Sequence, residues 1–218
     1  MLKIKKLSAK IGDKQIFKNV NIELSGGECL LITGQNGAGK STLLHAIMGR
    51  SDINTTGTIS LSKKALHKME CHERAREGVF LAHQTPPTID GVNTMTLLNE
   101  INKVHNMPYT RGELISQASD KFLHMQLPDD WKKRQFNNGA SGGERKKNEL
   151  VQADLFKKKT KLLLLDEPDS GLEQSSRQKI VELIEATCLS GGSVLLVTHD
   201  KELQAKYSDN KLDLSDVK

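Results

Sequence analysis

The stretch CLLITGQNGAGKSTLLHAIMG, residues 29–49, decides the fold. CLLIT is a short, continuous apolar run, the pattern of a strand covered on both faces within a parallel sheet. Gly34, Gln35, Asn36, Gly37, Ala38, Gly39, Lys40, Ser41 and Thr42 follow and match G-x-x-x-x-G-K-[ST]. TLLHAIMG then reads as a helix, so the motif sits in the strand–loop–helix setting it requires. Its glycines let backbone N–H groups curl around phosphate oxygens, and the helix N-terminus adds a favourable field for anions. Lys40 is placed to reach β- and γ-phosphates, and Ser41 to ligate Mg²⁺.

Two more apolar runs, LLLL at 162–165 and VLLV at 194–197, read as further strands of the same sheet. Each ends in polar residues, where an open α/β sheet places its ligands. The first ends in Asp166 and Glu167. Asp166 is the candidate Mg²⁺ ligand and Glu167 the general base that polarises the attacking water. The second ends in His199, which can contact a γ-phosphate. Gln84, in VFLAHQTPP, carries an uncharged amide able to touch both Mg²⁺ and water.

Elsewhere the patterning changes. Leu2 and Ile4, then Val20, Ile22 and Leu24, alternate at period two and predict half-buried antiparallel strands. Leu97, Leu98, Ile101 and Val104 recur at helical spacing, as do Phe122, Leu123 and Met125. Residues 88–158 therefore read as an inserted helical subdomain, leaving 1–87 and 159–218 as the catalytic core. A later helix begins near Gln174, uses Ile180, Leu183 and Ile184 as its core stripe, and stops at Gly191 and Gly192. The expected class is α/β, with a mostly parallel sheet, an antiparallel β subdomain and the helical lobe.

Composition excludes several alternatives. No apolar run approaches the roughly 20 residues of a membrane span, and MLKIKKLSAK lacks a secretory apolar region. Cys29, Cys71 and Cys188 form no C-x-x-C pair, which fits a reducing, cytoplasmic setting. A net charge of +5 permits nucleic-acid binding, but an aromatic content of 4% disfavours base-stacking platforms. The densest basic run, Lys157, Lys158 and Lys159, reads as a solvated loop.

ASGGERKKNEL, residues 140–150, poses a separate question. Ser141 and Glu144 form a capping box, yet Gly142 and Gly143 weaken the turn they cap by about 1 kcal/mol each. Stripping side chains from a helix N-terminus exposes N–H donors and makes a second anion site. A chain with one complete phosphate loop can present such a site to the γ-phosphate held by another copy. The alternative is an ordinary glycine-rich cap. Lys146, two residues past Glu144, is expected to pair with Glu167 or Asp169 in a resting state; the alternative is a solvated face.

In order, GQNGAGKST, Gln84, SGGE, LLLLDEP, SGLE and His199 resemble the ABC-type ATPases over essentially the whole chain. That resemblance implies that Ser141, Gly142 and Gly143 meet ATP across a head-to-tail dimer, with two nucleotides between two copies. SGGERKKNELVQ, EGVFLAHQTPPTIDGV and DEPDSGL are similar to the SufC-type branch, the ATPases of iron–sulfur cluster assembly. The branch implies SufB/SufD-like scaffold partners. The alternative is the ATP-binding subunit of a membrane transporter, touching the membrane only indirectly. Many ABC ATPases stack adenine on an aromatic residue near the first hairpin; here the resemblance puts Ile11 in that place.

Overall fold

The computed structural model describes residues 1–216 and resolves the chain into two sheets with helices around them. The alternating N-terminal segments form β1 (Leu2–Ile11) and β2 (Lys14–Leu24), joined by a tight turn. They pair antiparallel, with Leu2 opposite Leu24 and Ile4 opposite Ile22. After β3 (Cys29–Thr33) and α1 (Lys40–Met48) the chain returns as β4 (Asn54–Leu61) and β5 (Lys64–Ala65). This first sheet has the order β2-β1-β4-β5.

Next come α2 (Cys71–Arg76) and β6 (Val79–Ala82). The inserted region carries α3 (Thr94–Val104), α4 (Arg111–His124) and α5 (Gly142–Phe156). The chain then re-enters the sheet as β7 (Leu162–Asp166), α6 (Gln174–Leu189), β8 (Ser193–Val197), α7 (Lys201–Lys206) and β9 (Lys211–Asp213). The second sheet has the order β6-β7-β8-β3-β9, and every pairing in it is parallel.

Successive side chains on a strand point to opposite faces, so a strand buried on both sides feeds two cores. Leu162, Leu164, Leu195, Val197, Leu30 and Ile32 pack into the core shared with α1 and the antiparallel sheet. Their neighbours Leu163, Leu165, Val194, Leu196 and Leu31 pack into the core shared with the inserted helices and α6. Each fully buried leucine contributes about 2–3 kcal/mol relative to exposure. The continuous runs therefore supply apolar side chains to both layers from one sheet.

The helical stripes are partly as read. Ile180, Leu183 and Ile184 are all buried on α6, which ends at Leu189 before Gly191 turns left-handed at φ +83°. On α4, Phe122 is buried, but Leu123 is 77% exposed. Neighbouring positions on a helix stand about 100° apart, so one face cannot take both. Val104, at the end of α3, is likewise exposed while Leu98 is buried. Among the described residues no helix is long and apolar enough to cross a membrane.

Candidate nucleotide site

Four parallel strands deliver four loops to one edge of the sheet. β3 runs into Gly34, β7 into Glu167, β8 into Thr198 and His199, and β6 into His83 and Gln84. The register aligns these exits, with Asp166 beside Val197 and Leu165 beside Ala82. A cleft of about 620 Å³ opens there, lined by Lys14, Ile16, Asn36, Gly37, Gly39, Lys40, Ser41, Thr42, Gln84, Glu167 and His199.

The phosphate loop is bound up with itself. Lys40 Nζ donates to the carbonyls of Gly34 (2.8 Å) and Gln35 (3.2 Å). Gly39, at φ +97°, caps α1 without a side chain, and a Cβ there would stand 2.7 Å from Ile16 Cγ2. Only glycine brings the hairpin and the loop this close. The apolar residue at the cleft is thus Ile16, on the returning strand. Ile11, expected from the resemblance, sits beside the hairpin turn, 42% exposed, and does not line the cleft. Gly34, Gln35 and Ala38 belong to the loop but likewise lie outside the lining.

Ser41 Oγ donates to Asp166 Oδ1 at 3.0 Å. Asp166 is fully buried, and its second oxygen, Oδ2, has no hydrogen-bond partner. His45 Nε2 approaches that oxygen only to 4.0 Å. Burial pushes the Asp166 carboxyl up from its ordinary range, Ser41 pulls it back, and Glu167 adds to the rise. An orphaned, buried carboxylate oxygen beside a hydroxyl fits a hard divalent cation, which prefers oxygen donors. Ser41 and Asp166 could hold it, with Gln84 across the cleft.

Glu167 occupies a left-handed backbone conformation at φ +49°, unusual for a side chain with a Cβ. Its amide donates to Val197 O at 2.9 Å. Its carboxylate accepts from Gln84 Nε2 at 2.9 Å and lies 3.5 Å from His199 Nε2. The acid, the amide and the imidazole therefore meet over the phosphate loop. Thr198 Oγ1 donates to Asp169 Oδ1 at 2.6 Å, tying the loop after β7 to the loop after β8.

Ser141, Gly142 and Gly143 do not line this cleft. Ser141 caps α5, accepting from Glu144 N while Glu144 accepts from Ser141 N. Gly142 faces open space. A Cβ on Gly143 would meet the Gly171 carbonyl at 3.0 Å, so that glycine serves close packing against the loop after β7.

Lys146 corrects both alternatives. It is 6% exposed, not solvated, and among the described residues it forms no ion pair with the carboxylates of Glu167 or Asp169. Its ammonium donates instead to the Glu167 main-chain carbonyl. Burial lowers the Lys146 pKa, and Asp169 and Glu167 oppose that shift. A lysine one turn into a helix reaches the backbone of the facing loop before its side chain, which points away into the cleft.

Besides Ile16, the sequence alone does not point to Glu149 or His83. Glu149, 7% exposed on α5, accepts from His83 N (2.8 Å) and pairs with His83 Nδ1 (2.7 Å). The available signal was the run Lys146, Glu149, Ala153, in which charged residues continue the buried face of a helix whose apolar residues begin at Leu150.

A family model described as ABC transporter matches residues 17–170. Vegetative protein 296 of Bacillus subtilis (strain 168) is 36% identical over 206 residues, spanning 93% of this chain and 78% of that protein. Probable ATP-dependent transporter SufC of Escherichia coli (strain K12) is 33% identical over 205 residues, spanning 91% and 82%. Among solved structures, an ATP binding subunit of an ABC transporter superposes with a TM-score of 0.82 at 23% identity, covering 98% of this chain and 85% of that one. The dimeric post-hydrolysis ATP-binding cassette MJ0796, bound to ADP and Pi, gives 0.78 at 21% identity, covering 93% and 90%.

Proposed function

The chain belongs to the ABC transporter family, as an ATPase similar to its SufC-type members, and from that premise we propose that it hydrolyses Mg·ATP as a head-to-tail dimer that drives iron–sulfur cluster assembly on SufB/SufD-like scaffold proteins in the cytoplasm. The observation that carries this reading is an asymmetry. Gln84, Glu167 and His199 converge on the phosphate loop, whereas Ser141, Gly142 and Gly143 lie outside that cleft with Gly142 facing open space. One chain supplies the binding loop and the base; the second supplies the missing donors.

In this reading Lys40 releases the Gly34 and Gln35 carbonyls and takes the β- and γ-phosphates. Residues 34–42 cradle the phosphates with their N–H groups, and Ile16 covers the base. Ser41 and Asp166 would hold Mg²⁺, with Gln84 across the cleft; when bound, the ion would supply charge neutralisation for the phosphoryl oxygens. Glu167 accepts a proton from the attacking water, Gln84 keeps that carboxylate aimed, and His199 donates toward the γ-phosphate. Ser141 and Gly143 of the second copy complete the donor set. Residues 88–158 act as the lobe that carries those donors. The likeness to SufC supports the assembly role; the word transporter in the relatives' names favours a membrane-transport subunit as the second reading.

One experiment tests both levels. Glu167→Gln keeps shape and removes the base, so hydrolysis should fall by on the order of 10²–10⁴-fold while nucleotide persists and traps a dimer. Size-exclusion chromatography with Mg·ATP reads the dimer, and hydrolysis by the unmodified chain should rise more than linearly with its concentration. A monomeric variant, or a specific rate independent of dilution, rejects the composite site. Native pull-down then separates the outputs: soluble scaffold proteins support assembly, and integral membrane subunits support transport.

A further inference from the structure

The loop that carries Gln84 is held at its start directly by α5 and at its far side by Asn137, which α5 holds in turn, and each hold comes from a buried polar side chain. At its start, the Glu149 carboxylate takes two bonds from His83, one from the main-chain N–H at 2.8 Å and one from Nδ1 at 2.7 Å. At its far side, the Pro87 carbonyl accepts from Asn137 Nδ2 at 2.7 Å, and Asn137 Oδ1 accepts from Asn148 Nδ2 at 2.8 Å. Asn148 and Glu149 are consecutive on α5, both buried. Between the two holds stands Gln84, whose side chain is exposed and whose one hydrogen bond among the described residues is to Glu167.

A carboxylate removed from water is costly unless its lone pairs are satisfied. Burial accordingly pushes Glu149 up from its ordinary range, and the His83 bonds pull against that rise. Nothing in the hydrophobic packing requires an acid here: the next residues, Leu150 and Val151, are both buried and apolar. The group is placed to hold a backbone segment, because a bidentate acceptor fixes both the position and the direction of the N–H it receives. The peptide plane that carries the His83 N–H ends at the His83 Cα, so the bond to the main chain anchors that Cα and the bond to Nδ1 anchors its side chain, one residue before Gln84.

We propose that Glu149 is a positioning residue for Gln84. It acts through His83 and makes the first turns of α5, which begin at Ser141, a rigid link to the loop that aims the Glu167 carboxylate. This rests on the ATPase reading and adds to it: a phosphate captured by Ser141 and Gly143 pulls the same helix that sets Gln84, so nucleotide on one copy is felt at the cleft facing that helix's own loop.

The test compares steady-state hydrolysis of Mg·ATP by the full chain with the affinity for a non-hydrolysable ATP analogue. Glu149→Ala should lower kcat by about tenfold, the size of a lost charge-assisted bond, with analogue affinity within about twofold. Glu149→Gln, which still accepts from the His83 amide, should recover most of that loss. In a Gln84→Ala background, Glu149→Ala should cause no further fall, because coupled residues are not additive. If Glu149→Ala does not fold, His83→Ala, which removes the imidazole bond alone, is put through the same background comparison. Full additivity with Gln84→Ala, an unchanged kcat, or a loss confined to analogue affinity overturns the proposal. A parent protein that hydrolyses no ATP at any concentration overturns the ATPase reading instead, before any variant is compared.

Discussion

Lys40 donates to the carbonyls of its own loop, so an incoming phosphate must outcompete Gly34 and Gln35 for the ammonium. Lys40→Ala removes both the intraloop tether and the proposed charge-assisted contact to phosphate. ATP affinity should fall by about 10–100-fold. Calorimetric titration reads the affinity, and circular dichroism should show an unchanged fold; undiminished binding would remove Lys40 from the site. Lys40, Ser41 and Thr42 were legible because their spacing is local, fixed within one loop and one helix turn. His83 and Glu149 were not, because they are 66 residues apart and each looks like a surface residue. Ile16 was missed for a geometrical reason. The hairpin reverses at Gly12, and which isoleucine faces the loop depends on pairing register rather than on composition.

The elements show where periodicity carries information and where it fails. α6 was readable because its buried side is apolar. α5 was readable only from its cap, since the first half of its buried side is Lys146, Asn148 and Glu149. β6 and β9 have four and three residues, too short for a pattern to stand out. α5 is also tied to α4 by charge: Asp154 accepts from Lys121 and from Lys157. Burial pushes the Asp154 carboxyl up, but the two lysine bonds outweigh it and hold the group below its ordinary range. A depressed acid stabilises the fold above its unfolded pKa, and that stability is lost as pH falls through the folded pKa. Asp154→Asn should therefore lower stability by about 2 kcal/mol near neutrality. The difference from the parent should shrink as pH drops below the ordinary carboxylate range. Thermal melts at several pH values check this; a difference that does not shrink in acid assigns the loss to packing.

At the scale of the molecule, the two-sided burial of β3, β7 and β8 made the architecture legible, because only a sheet between two layers needs LLLL without interruption. What could not be read was how the loops meet, which depends on strand order 6-7-8-3-9 rather than on any segment alone. That edge also holds a conflict between durability and work. Glu167 sits at φ +49°, a conformation that costs a residue with a Cβ about 1–2 kcal/mol. Glycine carries no such penalty, although its looser unfolded chain takes part of the gain back. Glu167→Gly should thus net about 1 kcal/mol and melt roughly 2–4 °C higher, with hydrolysis gone; calorimetry showing a lower melting temperature would contradict it. A laboratory screen that rewards heat resistance alone would discard the proposed general base first, so any thermostable version of this enzyme has to be selected on turnover as well.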